Sequence, residues 1–418
     1  MYRHWHILAI GVWAPLAAFA CGVAFLGEES LFSTPSRSQS NPAVDVNPGD
    51  QHEESASTGP SIETSKDGLS VAGNSLMVGG KPFSVKGVQI VGRLTPDEYM
   101  NTVNPNYKEA NQRFGPTVLS SAKNFGANVI RFQVSQVGID PQAHQPIDHE
   151  RYKKKITDAV ALALDSGFKV IVSLQHQRGS AASYDQPLPG QNTVRTWQVL
   201  APIWKDDSRV IYELYNEPAI AATDKKDQPR KENWDLWLRG GPWVKNREMK
   251  NQNDDNPSGI VVGILKVIQS IRETGAKNLL IVPGLSTQKS FKGVPMPLPS
   301  DPQGNLAYGV HSPYLGGGAD RWDEDFGFLS GQVPVIITEW AAASNHRHCE
   351  PNYPREAPEF LRYLKSHDIG INAFAFDLVG TLIRDWNYTP TSYSLFQCGK
   401  EGGPGQLLQS YYTTGEIR

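Results

Sequence analysis

The feature that most constrains the fold is a recurring unit made of a short β-branched run, a loop and a stretch with helical periodicity. This alternation is typical of βαβ units, in which helices cover a parallel sheet. Eight strand-like runs occur, at residues 83–91, 127–134, 168–174, 210–215, 278–282, 307–310, 333–338 and 371–376. Since eight parallel strands close a barrel, the sequence predicts an α/β fold of the (β/α)8 TIM-barrel class.

The segments between these runs fit the same fold. Helical periodicity is clearest in 148–166 and 259–274, each long enough to cover one strand. An open doubly wound sheet is the alternative, but no Gly-rich phosphate-binding turn follows the first run. A hairpin over 69–81 is expected to cap the bottom of the barrel. Segment 219–257 is too long for an ordinary connection and is predicted to be an elaborated loop that walls a cleft.

Two segments precede the predicted barrel domain, residues 68–418. Residues 1–29 contain about twenty uncharged positions from Ile7 to Leu26, which indicates a signal peptide or a membrane anchor. Small residues before Cys21 leave lipidation as an alternative. Residues 30–67 have almost no large apolar side chains and are predicted to be a disordered linker. We therefore expect a secreted protein, or one held at the outer face of the membrane by an N-terminal anchor.

Cysteine usage and charge agree with export. Apart from Cys21, the chain has only Cys349 and Cys398, an even pair for which a disulfide is predicted. The neighbouring His346 and His348 leave a metal site as the alternative. The net charge of -3 gives no strong basic field, so nucleic acid is not an expected partner, and the only expected membrane contact is through the N-terminal segment.

Polar residues stand near the ends of several predicted strands, where a barrel carries its chemistry. They are Arg131, Gln175, His176, Asn216, Glu217, His311, Tyr314, Glu339 and Trp340. Cleaving an acetal with retention needs an acid and a nucleophilic carboxylate about 5 to 5.5 Å apart. Strands four and seven, across a barrel mouth, can supply that separation. We expect Arg131 to lie beside Glu339 and to lower its pKa.

The sequences around the two glutamates resemble a known family. Val-Ile-Tyr-Glu-Leu-Tyr-Asn-Glu-Pro at 210–218 and Val-Ile-Ile-Thr-Glu-Trp at 335–340 resemble the acid/base and nucleophile strands of glycoside hydrolase family 5, the family of many cellulases and mannanases. The resemblance extends to 76–87, 126–131, 278–284 and 381–390. It therefore covers nearly the whole predicted barrel.

The resemblance implies a role for each matching residue. Glu217 would be the acid/base, Glu339 the nucleophile and Arg131 the nucleophile's partner. Asn216 would hydrogen-bond the 2-hydroxyl of the sugar. His311 would lie near the acid/base.

The chain departs from the family's pattern at three places. Two residues separate His311 from Tyr314 where the family usually has one, which leaves the expected contact of Tyr314 with the nucleophile open. Gln175 stands where the family commonly has His; it or His176 is expected to contact the sugar, with a buried structural role as the alternative. Strand eight has no Trp, so the sugar platform is expected to be Phe376 or the nearby Trp386. Trp340, beside the nucleophile, is counted among the substrate-binding residues.

The predicted function is a retaining endo-β-1,4-glycanase that hydrolyses a β-linked polysaccharide or oligosaccharide without a cofactor or a metal, as a monomer. A β-mannanase or an exo-β-glucosidase on the same fold is one alternative. A non-catalytic carbohydrate-binding barrel is another, although it would require the loss of a key carboxylate, and both are present.

Overall fold

A computed structural model describes residues 68–143, 146–175, 187–243, 259–311, 317–340, 352–397 and 402–417. The predicted signal or anchor, the linker, His176, Tyr314, the Cys349–Cys398 disulfide and its metal alternative lie outside these residues and stay predictions. Among the described residues, no helix combines the length and the apolar composition that crossing a membrane requires.

Eight parallel strands form a closed barrel, which confirms the predicted fold class. The strands are β1 (Lys86–Ile90), β2 (Val129–Ser135), β3 (Lys169–Gln175), β4 (Val210–Glu213), β5 (Leu280–Pro283), β6 (Leu306–His311), β7 (Val335–Trp340) and β8 (Gly370–Ala373). Each strand pairs with its neighbour in chain order, and β8 pairs with β1 to close the ring.

Helices cover the outside of the barrel. The α-helices are Pro105–Arg113, Pro116–Asn124, Gln136–Ile139, His149–Asp165, Gln191–Trp204, Lys231–Arg239, Gly263–Arg272, Gly318–Asp325, Tyr353–Ser366 and Gly405–Thr414, and short 3-10 helices span Asp97–Tyr99 and Gly327–Leu329. Leu285–Gln288 is a turn that contains residues with left-handed backbone and is not a regular helix. The helix predicted over 148–166 is confirmed, since the Asp148 side chain caps it by accepting from the Arg151 amide.

Two connections differ from the prediction. Segment 219–257 is not simply a loop, because its described part contains the helix Lys231–Arg239, whose Trp234 and Trp237 are buried on one face. The helix predicted from residue 259 begins only at Gly263. Gly259–Val261 instead pairs with Gly241–Trp243 as a two-stranded antiparallel sheet.

The N-terminal hairpin caps the barrel as predicted. Its strands Leu69–Ala72 and Ser75–Val78 pair antiparallel, and Lys81–Pro82 adds a third. Leu69 and Leu76 pack against inward-facing apolar residues at the start of the barrel strands, such as Ile171 and Ile211. The lower part of the barrel interior is therefore an ordinary apolar core.

The interior above this apolar layer is polar. Side chains alternate along each strand, so Arg131 points inward two residues after the apolar Val129, and Glu213 does so two residues after Ile211. Gly87 provides space on β1, because a Cβ there would lie 2.3 Å from the Asn372 side chain. The fold thus places buried charges directly beneath the C-terminal mouth.

Candidate active site

Two carboxyl groups meet at the C-terminal mouth of the barrel. Glu217 follows β4, and Glu339 lies within β7. One carboxyl oxygen of each and a ring nitrogen of His311 all lie within 4.8 Å of one another. Each glutamate side chain is 14% exposed, so both are reachable from the mouth. The two oxygens are therefore no more than 4.8 Å apart, in keeping with the short carboxyl separation, about 5 to 5.5 Å, of enzymes in which one carboxylate is the nucleophile.

Local backbone irregularities orient the side chains of Glu339 and Glu217 toward the mouth. The pairing of β7 with β8 shifts register between Ile337 and Trp340, and Thr338 and Glu339 both contact interior groups. Such a bulge re-aims a side chain that strict alternation would send outward. Glu217 has a φ of 55°, in the left-handed region. Its amide donates to the Gln288 Oε1 atom at 3.0 Å, which holds it there.

Arg131 is fully buried at the centre of the polar layer. Its guanidinium donates to Glu213 Oε2 at 2.7 Å, to Glu339 Oε2 at 3.0 Å and to Asn216 Oδ1 at 2.6 Å. It also contacts Ser173 at 3.1 Å, and it donates to the side chain of Gln89. One cation therefore fixes the orientation of residues from four other strand regions.

Asn216 has an amide group that remains available for a ligand. Its Oδ1 atom accepts from Arg131 and from Gln133 Nε2 at 3.0 Å. Its Nδ2 atom is buried and has no hydrogen-bond partner among the described residues. A buried unpaired donor is costly unless something binds it. Gln133, which the sequence did not single out, also lies 3.4 Å from Glu339 Oε2.

His311 connects the two carboxyl groups with the buried charges. Its Nδ1 atom lies 3.2 Å from Glu217 and 3.9 Å from Glu339, and its Nε2 atom lies 3.5 Å from Glu213. Burial alone would lower the pKa of His311, but the charge of Glu339 and hydrogen bonds to Glu213 and Glu217 raise it to about 9. At neutral pH the ring is therefore an imidazolium.

Glu213 belongs to the charged centre of the site but was not predicted from the sequence. It is fully buried, and although burial would raise its pKa, the charges of Arg131 and His311 hold that pKa well below its ordinary value. The available signal was a pair of opposite charges, Arg131 and Glu213, each directly following apolar residues of a predicted strand. Buried charges of this kind need partners.

The five residues Arg131, Glu213, Glu217, His311 and Glu339 form one charged cluster. It contains two cations and three carboxyl groups. The cluster is neutral when Glu213 is ionised and the Glu217/Glu339 pair holds one proton. Because an uncompensated charge in a buried site is unfavourable, the pair is expected to hold that proton.

Arg131 lowers the pKa of Glu339, as expected, but the net shift of that pKa is upward. Burial raises the pKa of Glu339, His311 lowers it, Glu217 raises it, and the effect of Arg131 comes only after these. Burial has the largest effect on this pKa, and Arg131, which also forms an ion pair with Glu213, does not offset it. Arg131 therefore acts on Glu339 both as a charge that favours the ionised carboxylate and as a fixed hydrogen-bond donor.

The raised pKa of His311 leads to a prediction about how the unfolding free energy depends on pH. Since the folded state raises the pKa of His311 from about 6.5 to about 9, its contribution to stability is full below pH 6.5 and is lost as the pH rises through 9. Wild-type protein is expected to lose on the order of 3 kcal/mol of unfolding free energy over this range. The His311→Gln variant should lack that loss in urea titrations at pH 7 and 9.5. Identical pH dependence in the two proteins would contradict the assignment.

Two predicted substrate-binding residues do not face the mouth. Trp340 is 1% exposed and packs against Phe360 of the helix Tyr353–Ser366, since the residue after Glu339 points to the outside of the barrel. Phe376 is fully buried between Phe125 and Tyr388. Neither ring can stack on a sugar, so both predictions are wrong.

Gln175 and Trp386, which are also predicted to contact the substrate, differ from each other in their surroundings. Gln175 is 4% exposed and ends β3 on the inward-facing side, in register with Ser173, which contacts Arg131. Trp386 is half-buried and packs, as Tyr107 and Phe374 do, against the apolar cluster of Val91, Ala110, Ala375 and Leu378. Burial, followed by the charges of Glu339 and Asp377, raises the pKa of Tyr107 to about 12, so Tyr107 lies within electrostatic reach of Glu339.

Among the described residues, Glu217, His311 and Glu339 are the grouping whose spacing could hold an ion. Without an ion, and against the effect of burial, the carboxyl groups raise the pKa of His311 to about 9, so a metal ion would have to displace the proton of the ring in order to bind.

A (β/α)8 barrel whose mouth carries two closely spaced carboxyl groups, one on β7 and one after β4, defines a glycoside hydrolase. A family model described as cellulase (glycosyl hydrolase family 5) matches residues 80–378. The chain therefore belongs to glycosyl hydrolase family 5. No curated protein matches the chain.

Solved structures share the fold. A β-glucanase, SdGluc5_26A from Saccharophagus degradans, is 18% identical, with a TM-score of 0.58 over 86% of this chain and 98% of that one. The same β-glucanase in complex with cellotetraose gives 19% identity and a TM-score of 0.56, over 80% and 94% of the two chains. An endocellulase from the archaeon Pyrococcus horikoshii is 17% identical, with a TM-score of 0.54 over 78% and 96%.

Proposed function

We propose that this protein is a retaining endo-β-1,4-glucanase in which Glu217 is the acid/base and Glu339 the nucleophile. The observation that carries the proposal is the pair of carboxyl oxygens within 4.8 Å, inside a charged cluster that is neutral when the pair holds one proton. A single shared proton provides one acid and one nucleophile at the same time.

The first chemical step uses both members of the pair. Glu217 donates its proton to the glycosidic oxygen while Glu339 attacks the anomeric carbon, which breaks the glycosidic bond and forms a glycosyl ester on Glu339. Arg131 and Gln133, at 3.0 and 3.4 Å, donate to Glu339 Oε2 and orient the attacking carboxylate. As Glu217 becomes ionised, the imidazolium of His311 stabilises the new charge at 3.2 Å.

The second step releases the sugar. Glu217, now a base, takes a proton from water as the water oxygen attacks the anomeric carbon from the face opposite Glu339, which breaks the bond to Glu339 and restores its carboxylate. Two displacements at one carbon restore the original anomeric configuration. Asn216 Nδ2, buried without a partner among the described residues, donates to the sugar 2-hydroxyl. Hydrogen bonds to the 2-hydroxyl contribute to transition-state stabilisation in this class of reaction.

The substrate class follows from family membership and from the similar structures. A β-glucanase that shares this fold has been solved with cellotetraose, and another similar structure is an endocellulase. A chain of β-1,4-linked glucose is neutral, in accord with the small net charge of the protein. We therefore propose soluble β-1,4-glucan or mixed-linkage β-glucan as the substrate.

Trp386, together with Tyr107 and Phe374, which pack against the same apolar residues, is proposed as the sugar platform that the missing Trp on β8 would otherwise provide. Replacing Trp386 by Ala should raise KM for soluble glucan by about tenfold, equivalent to about 1.4 kcal/mol of lost stacking. Trp386→Phe keeps an aromatic face and should be affected less. Unchanged KM in Trp386→Ala, measured by reducing-sugar release, would rule Trp386 out as part of the platform.

A substrate panel tests the function. Purified protein is incubated with β-glucan, mixed-linkage glucan, mannan and xylan, and the products are separated by size. Rapid formation of mixed oligosaccharides from glucan, with little from mannan or xylan, is expected of an endo-acting glucanase. Release of glucose alone would indicate an exo-acting enzyme, and preferential cleavage of mannan would contradict the proposed substrate.

We further propose that the enzyme acts outside the cytoplasm. The support is the uncharged stretch from Ile7 to Leu26 followed by a polar segment, together with a polymeric substrate that is too large to be taken up intact. Cell fractionation followed by N-terminal sequencing distinguishes a cleaved signal from a retained anchor. Accumulation of active protein in the cytoplasm with an intact N-terminus would contradict export.

A further inference from the structure

The turn that follows β5 has an unusual backbone. Ser286, Thr287 and Gln288 have φ values of 56°, 56° and 61°, so three successive residues with side chains adopt the left-handed conformation. Each such residue is unfavourable, and a run of three persists only where surrounding contacts hold it. Glu217 has the same kind of backbone, with a φ of 55°.

The contacts that hold this turn come from the loop that carries Glu217. The Ser286 amide donates to the Ile220 carbonyl and the Thr287 amide to the Pro218 carbonyl, both at 2.8 Å. In the opposite direction, the Ala222 amide donates to Ser286 Oγ at 2.9 Å. The left-handed turn and the loop 217–222 are therefore joined along their length.

The Gln288 side chain extends this connection into the charged cluster. It is fully buried; its Oε1 atom accepts from the Glu217 amide at 3.0 Å, and its Nε2 atom donates to Glu213 Oε1 at 2.7 Å and to Thr338 Oγ1 at 3.0 Å. One planar amide thus ties together the backbone of the acid/base, the ion-pair partner of Arg131 and the residue before the nucleophile. Gly309 leaves room for it, because a Cβ there would lie 2.8 Å from Nε2.

From these contacts we infer that Gln288 is a positioning residue that aims Glu217 at the leaving-group oxygen. The inference rests on the proposed role of Glu217 as the acid/base. Gln288 acts through the Glu217 backbone and through Glu213. Loss of its amide should release Glu217 from its left-handed backbone and misplace the proton donor, while Arg131 and Gln133 still orient Glu339.

Because Gln288 is inferred to act on the proton donor and not on the nucleophile, its loss should affect substrates with poor and good leaving groups to different extents. A general loss of structure would affect both substrates equally. Proton donation matters for a sugar leaving group, which is a poor one, and matters little for dinitrophenolate, which leaves without a proton. In Gln288→Met, which keeps the side-chain volume, kcat/KM for soluble glucan should fall by about 100-fold. For 2,4-dinitrophenyl β-cellobioside, kcat/KM reports only formation of the glycosyl ester and should fall by no more than about fivefold.

Gln89→Met is the matched control, since Gln89 is also a fully buried glutamine but accepts from Arg131, next to the nucleophile. It should reduce kcat/KM for both substrates by the same factor. Equal losses on the two substrates in Gln288→Met, or no loss on either, would overturn the inference.

If Gln288→Met does not fold, a second variant tests the same inference. Ser286→Ala removes only the hydrogen bond from the Ala222 amide and should show the same selectivity between the two substrates with a smaller effect. Equal losses on the two substrates, or no loss on either, would overturn the inference there too.

The outcomes separate this inference from the proposed function. If wild-type protein cleaves neither substrate, the proposed function fails. If it cleaves both and Gln288→Met loses them equally, only the positioning role fails.

Discussion

Glu339→Ala is expected to lose hydrolysis of soluble glucan by about 10⁵-fold or more, because no glycosyl ester can form without the nucleophile. Glu217→Ala should be equally inactive on glucan, yet it should still release dinitrophenolate from the activated cellobioside in a rapid burst. The burst arises because Glu339 can attack without a proton donor when the leaving group is good. Stopped-flow absorbance on both variants measures this difference.

Reaction with azide provides the control on the assignment of Glu339 as the nucleophile and Glu217 as the acid/base. In Glu339→Ala, azide can occupy the space of the lost carboxylate and attack the activated substrate once, which gives the α-glycosyl azide. In Glu217→Ala, azide attacks the glycosyl ester from the opposite face, which gives the β-glycosyl azide. NMR of the products distinguishes the two anomers. A β-azide from Glu339→Ala would mean that the roles are reversed.

Arg131→Met is expected to be the most damaging change to stability. It leaves Glu213 buried without its ion-pair partner, and removing one partner of a buried pair costs about 3 to 5 kcal/mol. Activity should be lost as well, since Glu339 and Asn216 lose their common donor. Urea unfolding at pH 7 measures the first effect, and glucan hydrolysis the second.

A double variant separates these two effects. Adding Glu213→Gln to Arg131→Met removes the unpaired charge and should recover most of the lost stability, while activity stays absent. If the double variant is no more stable than Arg131→Met alone, the destabilisation comes from lost packing, and the role assigned here to Glu213 is wrong.

The sequence predicted the barrel and much of the position of its polar centre. Strand-like runs separated by helical stretches identified all eight strands, because alternation between the two periods is a local property of the chain. The short sequences around Asn216, Glu217 and Glu339 placed these residues at one mouth, since the carboxyl ends of parallel strands meet there. The structure brings Arg131 and His311 to the same place.

The side of the strand that each residue faces was harder to predict. Trp340 points outward beside the inward-facing Glu339 because a bulge in β7 shifts the alternation, and a bulge leaves no clear mark in one sequence. Phe376 lies beyond the end of β8, where alternation gives no guide. The left-handed turn at Ser286, Thr287 and Gln288 was also unpredictable, since residues with side chains rarely adopt that backbone.

The net shift of the Glu339 pKa was hard to predict for a different reason. Arg131 lowers this pKa as expected, but the expectation considered one cation beside one carboxylate and left out burial, which has the largest effect. The fold instead gives Arg131 a second, fully buried partner in Glu213 and brings His311 between them. Electrostatic effects depend on every charge within a few ångströms, and these come from strands far apart in the chain.

Covalent trapping identifies the nucleophile without relying on a substitution. A 2-deoxy-2-fluoro-β-cellobioside with a dinitrophenyl leaving group slows both displacements, and the good leaving group lets the ester accumulate. After peptic digestion, mass spectrometry should find the fluorinated disaccharide on the peptide that contains Glu339, and the labelled enzyme should be inactive. Labelling of Glu217 instead, or full hydrolytic activity on glucan from Glu339→Ala, would contradict the account.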